Sequence, residues 1–123
     1  MTEFTFYKAD ESEHHELVRL AKTSKYTRDF SNAVMFSSSE NYQKGWIWAV
    51  RDARGELAAF ACVRHKRRGN ETKLYFVNTR EDWRGHGIGP RLLREIMADS
   101  PHEVMKLDVM KENTDARRFY DRL

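Results

Sequence analysis

A chain of 123 residues, 40% apolar and 33% charged, has material for one core, so a single domain over 1–123 is expected. The formal net charge of +3 is too small, and Lys and Arg are too interleaved with Asp and Glu, to mark a nucleic-acid binder by composition. No apolar run approaches the roughly 18 residues of a membrane span, and a single cysteine excludes an intrachain disulfide.

The start, Met1 to Phe6, has neither the basic residues nor the apolar core of a secretory signal, which with the lone Cys62 favours the cytoplasm. Phe4 to Tyr7 alternates weakly and predicts a first strand. Asp10 and Glu13 stand at capping-box spacing, ahead of a helix whose apolar stripe is Leu17, Leu20 and Ala21. His14 and His15 are adjacent, so they cannot share a helix face as metal ligands at i and i+4 would; both read as surface histidines, and no metal site is expected. From Thr23 to Lys44 the pattern is poor. Phe30, Val34, Met35, Phe36 and Tyr42 amid Ser and Asn predict a short helix and an irregular loop.

Trp46 to Val50 predicts a strand, Arg51 to Glu56 a turn carrying Gly55, and Leu57 to Val63 the returning strand. Cys62, among Phe60, Ala61 and Val63, reads as a buried strand residue rather than a nucleophile. Residues 64–73 then read as a charged loop with one basic cluster, His65 to Arg68. A solvated loop is its default reading, and a contact with phosphates is the other.

Leu74 to Thr79 predicts a strand that leads into Trp83-Arg84-Gly85-His86-Gly87-Ile88-Gly89-Pro90-Arg91-Leu92-Leu93. From Ile88 the chain takes helical periodicity, with Ile88, Leu92, Leu93, Ile96 and Met97 on one face and Pro90 in the first turn. A strand, a glycine-rich turn and a helix aim several free backbone N–H groups at one spot, and the helix dipole adds positive charge there. A phosphate or pyrophosphate suits that spot. The loop lacks the Gly-Lys-Ser/Thr ending of a nucleotide P-loop and is a glycine short of the dinucleotide fingerprint. Ser100-Pro101 predicts the helix stop, Val104 to Met110 a further strand, and Asn113-Thr114 the cap of a last helix with Ala116, Phe119, Tyr120 and Leu123 on one face.

Two blocks carry a family resemblance. Arg-x-x-Gly-x-Gly, as Arg84, Gly87 and Gly89, resembles the acyl-CoA motif of GCN5-related N-acetyltransferases (GNAT). Leu107-Asp108-Val109 with Asn113, Ala116, Phe119 and Tyr120 resembles the family's second block. The resemblance runs from about Trp46 to the end. It implies an α/β fold with a mixed, mostly antiparallel central sheet, helices on both faces, and two splayed central strands that admit acetyl-CoA. Those strands would be Leu74–Thr79 and Met105–Met110. In such a fold Phe76, Val77, Asn78 and Thr79 offer backbone groups to the pantetheine arm, while Arg84, Gly85, His86, Gly87, Ile88 and Gly89 hold the pyrophosphate. Asn113 is a helix cap, a cofactor contact, or both.

The implied reaction moves an acetyl group from acetyl-CoA to a primary amine by direct attack. It needs a proton acceptor for the amine, an N–H for the developing oxyanion, and a proton donor for the leaving thiolate. Tyr120 stands where family members use a tyrosine as that donor; periodicity alone makes it a core aromatic. No base is assigned, since Leu74 to Thr79 holds no carboxylate and the flanking Glu71 and Glu81 read as loop charges. Thr79-Arg80-Glu81 departs from the apolar residue and proline of many relatives. The chain stops at Leu123 where the family adds a strand pair, so it is a natural short form or a fragment. Without that pair the 105–110 strand has an open edge, for which a second copy of the chain is the simplest partner. The acceptor stays open among protein, polyamine, antibiotic and other amines, with Phe30, Phe36 and Tyr42 as candidate walls. A non-catalytic acyl-CoA-binding module is the alternative, and a nucleic-acid-directed role comes last.

Overall fold

Alternation along two strands creates two cores, and every other feature of the fold follows from them. The structure, a computed structural model, describes residues 3–23, 38–66, 71–100 and 104–107. The elements are β1 (Thr5–Lys8), α1 (His14–Ala21), α2 (Ser39–Gln43), β2 (Ile47–Arg51), β3 (Leu57–Lys66), β4 (Glu71–Thr79), α3 (Ile88–Asp99) and β5 (Val104–Leu107). The five strands form one sheet in chain order. β1 to β4 pair antiparallel, and β5 pairs parallel to β4 after the crossover through α3. This is the mixed, mostly antiparallel α/β sheet expected.

On one face Ile47, Ala49, Phe60 and Cys62 pack with Leu17, Leu20 and Ala21 of α1 and with Tyr42 of α2. On the other, Trp48, Val50, Ala59, Ala61, Val63 and Leu74 pack with Ile88, Leu92, Leu93 and Ile96 of α3. Helices thus cover both faces, and period-2 strands meet period-3.6 helices at each. Met97, placed on the apolar stripe of α3 by periodicity, is 52% exposed. It sits at the margin of a stripe that the other four residues already fill. Cys62 is fully buried, and that burial pushes its thiol well above the ordinary range.

Two irregularities matter. Val50 faces Ala59 while Arg51 faces Leu57, so Ala58 is an extra residue and joins Ala59 on the α3 side. Further along, Cys62 faces Phe76 and Val63 faces Leu74, which leaves Tyr75 as an extra residue in β4. The described residues of β5, Val104 to Leu107, pair with Glu71 to Leu74 of β4.

The N-terminal helix begins as the sequence predicts. The Ser12 N–H donates to Asp10 Oδ2 at 3.0 Å and the Asp10 N–H to Glu13 Oε2 at 2.7 Å, although the first turn, Glu11–Glu13, is a 3₁₀ turn. Glu13 and Glu16 also meet Arg51 at 2.8 and 3.1 Å, and Tyr7 donates to Glu13, which ties α1 to β1 and β2. Burial, helped by the Glu13 carboxylate, pushes the Tyr7 hydroxyl up to about 12.

The charged loop predicted over 64–73 is a correction. β3 and β4 continue into it, with Arg64 opposite Lys73, His65 opposite Thr72 and Lys66 opposite Glu71. Backbone ladder bonds and alternation decide the conformation here, and the polarity of the side chains does not. On one face, His65 Nδ1 lies 2.7 Å from Thr72 Oγ1, which lies 2.6 Å from Ser100 Oγ at the end of α3. The last helix, with Asn113 and Tyr120, and the loop residues Phe30 and Phe36 lie outside the described residues.

Candidate active site

The glycine loop is built from the end of β4 outward. Thr79 ends the strand, and Arg80 turns the chain into a single 3₁₀ turn, Glu81–Trp83. Gly85 and Gly87 then take φ of +83° and +77°, left-handed values that a side chain resists. Gly87 is the N-cap of α3 and supplies no side chain to its N-terminus. Among the described residues, the amides of Gly85, His86, Gly87, Ile88 and Gly89 donate to no protein acceptor. A Cβ built on Gly85 or Gly87 meets nothing within 4 Å. Unpaired N–H groups at a helix start fit an anionic pyrophosphate.

Arg84 does not sit idle beside this loop. Its Nε donates to the Thr79 carbonyl at 3.0 Å, closing the loop on the strand that precedes it. His86 is exposed and packs edge-on against Trp83, with ring centroids 5.2 Å apart. Phe4 of the N-terminal segment meets Trp83 from another side at 5.0 Å.

Phe76, Val77, Asn78 and Thr79 pair along one edge of β4 with Cys62, Ala61, Phe60 and Ala59. The Asn78 side chain points to the α1 face and donates to the Leu20 carbonyl at 3.2 Å. It therefore anchors α1 to β4, and only its backbone is placed to meet a ligand. Tyr42 is 8% exposed and packs in the α1 core, which removes it from the candidate acceptor walls.

Sequence reasoning missed what holds the loop in place. Asp52, in the turn between β2 and β3, is 7% exposed. One of its oxygens accepts from the Arg54 and Glu56 N–H groups at 2.9 and 3.0 Å. The other meets Trp83 Nε1 at 3.3 Å and Arg80 at 3.4 Å. Arg80 also donates to the Leu57 carbonyl at 3.0 Å and to Asp82 at 2.6 Å, while its N–H reaches the Ala58 carbonyl at 2.7 Å. The residue that departs from the family pattern is thus the clamp on the strand exit. Nothing in periodicity pairs Asp52 with Arg80. The only sequence signal is an Asp opening a Gly-containing turn, which explains the turn and not its distant partners.

Burial would raise the Asp52 carboxyl, but the two backbone N–H groups, the Trp83 indole and the Arg80 guanidinium outweigh it and hold it below the ordinary range. A carboxylate depressed on folding stabilises the protein above its unfolded pKa of roughly 4, and that contribution is lost as pH falls through the lower folded value. Asp52→Asn is expected to cost about 1–3 kcal/mol at pH 7, the range for hydrogen bonds to a buried charged acceptor. The deficit should shrink below about pH 4, as the carboxylate is protonated first in the unfolded chain and then, at its lower folded value, in the native protein. Melting curves from pH 7 to pH 2 check this; parallel curves for the two proteins would remove Asp52 from the acid limb.

An open mixed sheet with a free-amide glycine loop after β4 is the arrangement of an acyl-CoA-dependent transferase. The acetyltransferase (GNAT) family matches residues 5–123, and the chain belongs to that family. It is 49% identical over 116 residues to the 5-NmdU N-acetyltransferase of Pseudomonas phage PaMx11, covering 94% of this chain and 82% of that one. Among solved structures, a GNAT-family acetyltransferase from Staphylococcus aureus Mu50 superposes with a TM-score of 0.78 at 16% identity, covering 98% of this chain and 82% of that one. The diaminobutyrate acetyltransferase of Paenibacillus lautus, solved with L-2,4-diaminobutyric acid and coenzyme A, gives 0.75 at 17% identity, covering 99% and 75%. The chain is an acetyl-CoA-dependent N-acyltransferase that moves an acetyl group to an amine.

Among the described residues no helix is long and apolar enough to cross a membrane.

Proposed function

We propose that this enzyme acetylates the amine of 5-NmdU, read as a deoxyuridine that carries an amine. The observation that carries the reading is the likeness to the phage enzyme of that name, 49% identical over 94% of this chain. The experiment is direct. Purified protein is incubated with acetyl-CoA and the 5-NmdU nucleoside, and released thiol and acetylated product are measured beside a panel of diamines and lysine peptides. Product from 5-NmdU at a rate above every panel amine is expected. Turnover of another amine with none of 5-NmdU would replace this acceptor.

The same reading assigns roles within the chain. Gly85, His86, Gly87, Ile88 and Gly89 hold the pyrophosphate through their amides, supported by those amides having no acceptor of their own among the described residues. Arg84, with its Nε committed to Thr79, offers its remaining N–H groups to the same anion. Phe76 to Thr79 present backbone groups along the edge of β4 that does not face β3, as if a substrate strand were added there.

The bound acetyl-CoA supplies a thioester carbonyl and a thiolate leaving group of moderate basicity. Tyr120 gives its hydroxyl proton to the departing sulfur, and Asn113 caps its helix and contacts the cofactor; both assignments rest on the family's second block. An N–H of β4 near the bulge is the natural oxyanion donor. The single domain over 1–123 belongs to the same reading.

A further inference from the structure

The glycine loop has little of its own to hold it. Between Gly85 and Gly89 no hydrogen bond ties it to the sheet among the described residues. Gly85 and Gly87, the loosest residues a chain can contain, leave it without internal restraint. Its position is therefore set at its two roots. One root is α3, where Ile88, Leu92 and Leu93 are packed into the core. The other is the 3₁₀ turn Glu81–Trp83 after β4, where Trp83 reaches the same core only in part.

That second root is organised from a distance. The Arg80 N–H donates to the carbonyl of Ala58, the extra residue of β3, at 2.7 Å, and its side chain to that of Leu57 at 3.0 Å. Asp52 supplies the acceptor that Arg80 and Trp83 share, and its two oxygens divide the work. Oδ1 takes the Arg54 and Glu56 amides at 2.9 and 3.0 Å, while Oδ2 takes the Trp83 indole and the Arg80 guanidinium at 3.3 and 3.4 Å. The shorter pair seats the carboxylate in the β2–β3 turn, and the seated carboxylate fixes the turn after β4. Its side chain is 4% exposed, so water is poorly placed to replace a lost partner. Trp83 carries the restraint forward: His86 of the loop packs on its ring at 5.2 Å, and Phe4 meets it at 5.0 Å.

We infer that Asp52 is a positioning residue for acetyl-CoA: through Arg80 and Trp83 it sets the glycine loop so that the amides of Gly85 to Gly89 converge on the pyrophosphate. The inference rests on the assignment of that anion to the loop, made above. In this role Asp52 acts on affinity for the donor and leaves the acceptor and the chemical step alone. A loop free to rock cannot engage several N–H groups at once, and one charge-assisted bond lost is about 10-fold in affinity.

Asp52→Asn separates the two halves of the contact. The amide oxygen still accepts from the Arg54 and Glu56 N–H groups, whereas the amide NH₂ turns donors toward the donors of Trp83 and Arg80. Calorimetric titration with coenzyme A, at a temperature where each protein is folded by circular dichroism, should show about 10-fold weaker binding for this variant. Trp83→Phe keeps the ring against Phe4 and His86 but loses the indole N–H, and should bind about 3-fold more weakly. The double variant should be no weaker than about 10-fold, because both changes break one shared contact. In steady state with an amine that the wild type acetylates, KM for acetyl-CoA should rise with Asp52→Asn while kcat changes by less than about 2-fold. Glu13→Ala is the control for stability alone. It removes an Arg51 ion pair and a capping bond from α1, on the opposite face of the sheet, and should lower the melting temperature with coenzyme A affinity unchanged.

Wild-type affinity in a folded Asp52→Asn protein would overturn the inference. If Gly87→Glu then still abolishes binding, the pyrophosphate loop survives without its anchor; if it does not, the loop assignment falls as well. Equal weakening by Glu13→Ala, or losses that multiply in the double variant, would likewise reduce Asp52 to a structural residue. If Asp52→Asn does not fold, Arg80→Lys takes its place with the same expected and overturning results, since an ammonium keeps the charge but cannot span Leu57, Asp82 and Asp52 together.

Discussion

Gly87→Glu should abolish measurable coenzyme A binding while leaving the protein folded. The left-handed φ of +77° costs a side chain about 1–2 kcal/mol, but a Cβ there meets no atom within 4 Å, so no clash is added. A carboxylate at a helix N-cap even returns part of that cost through the dipole. The same carboxylate enters the space before the amides of Gly85 to Gly89 and competes with the pyrophosphate for them. Each charge-assisted hydrogen bond lost is about 1.5–3 kcal/mol, and two of them already lower affinity by about 100-fold or more. Gly87→Ala carries the same strain without the charge. Calorimetric titration of both variants, with melting curves, separates the effects: Ala should bind coenzyme A within about 10-fold of wild type, and Glu should not bind. Wild-type affinity in a folded Gly87→Glu protein would defeat the motif. Arg84→Ala should lie between the two, since that side chain closes the loop on Thr79.

The second large effect is on turnover. Tyr120→Phe keeps the ring and removes the hydroxyl, so acetyl-CoA affinity and melting temperature should change little. The rate on an amine acceptor should fall by about 10²–10⁴-fold, the range for a lost general acid. A coenzyme A thiolate is a tolerable leaving group, which puts the lower half of that range in reach if water donates instead. Steady-state kinetics on the acceptor, with binding measured separately, decides the matter: equal rates in the two proteins would return Tyr120 to the role of a core aromatic.

The fold was legible where burial sets a period. Leu17, Leu20 and Ala21 on α1 and Ile88, Leu92, Leu93 and Ile96 on α3 lie on the expected elements because one apolar face suffices to fix a helix, and the strands over 47–50 and 57–63 because a short apolar run buried on both faces fixes a strand. The capping box at Asp10 was equally clear, since it is a local exchange of two hydrogen bonds. The strand ends over 64–66 and 71–73 are not, because they are held by the backbone ladder and carry no apolar face to announce them. Neither bulge could be read, since an extra residue in one strand shows only against its partner.

At the site, Arg84, Gly87 and Gly89 stand out through their spacing together with its context, Trp83 before, Ile88 between the glycines, a strand in front and Leu92-Leu93 in the helix after. Asp52 and Arg80 do not, although they fix the loop, because their contact joins residues 28 apart through a turn and a strand end. Arg80 was noticed only as a departure from pattern, and the structure gives that departure a function.

The Asp52 anchor has a practical side. Ala53 to Glu56 are exposed, and an exposed turn between two strands is where a tag or an inserted peptide is ordinarily accommodated. Here the same carboxylate that organises the turn also holds Arg80 and Trp83 at the root of the glycine loop. An insertion at Arg54 would shift the Arg54 and Glu56 amides away from Asp52 and free it to swing. The surface position is therefore a poor site for fusion, and labels for this enzyme belong away from the β2–β3 turn.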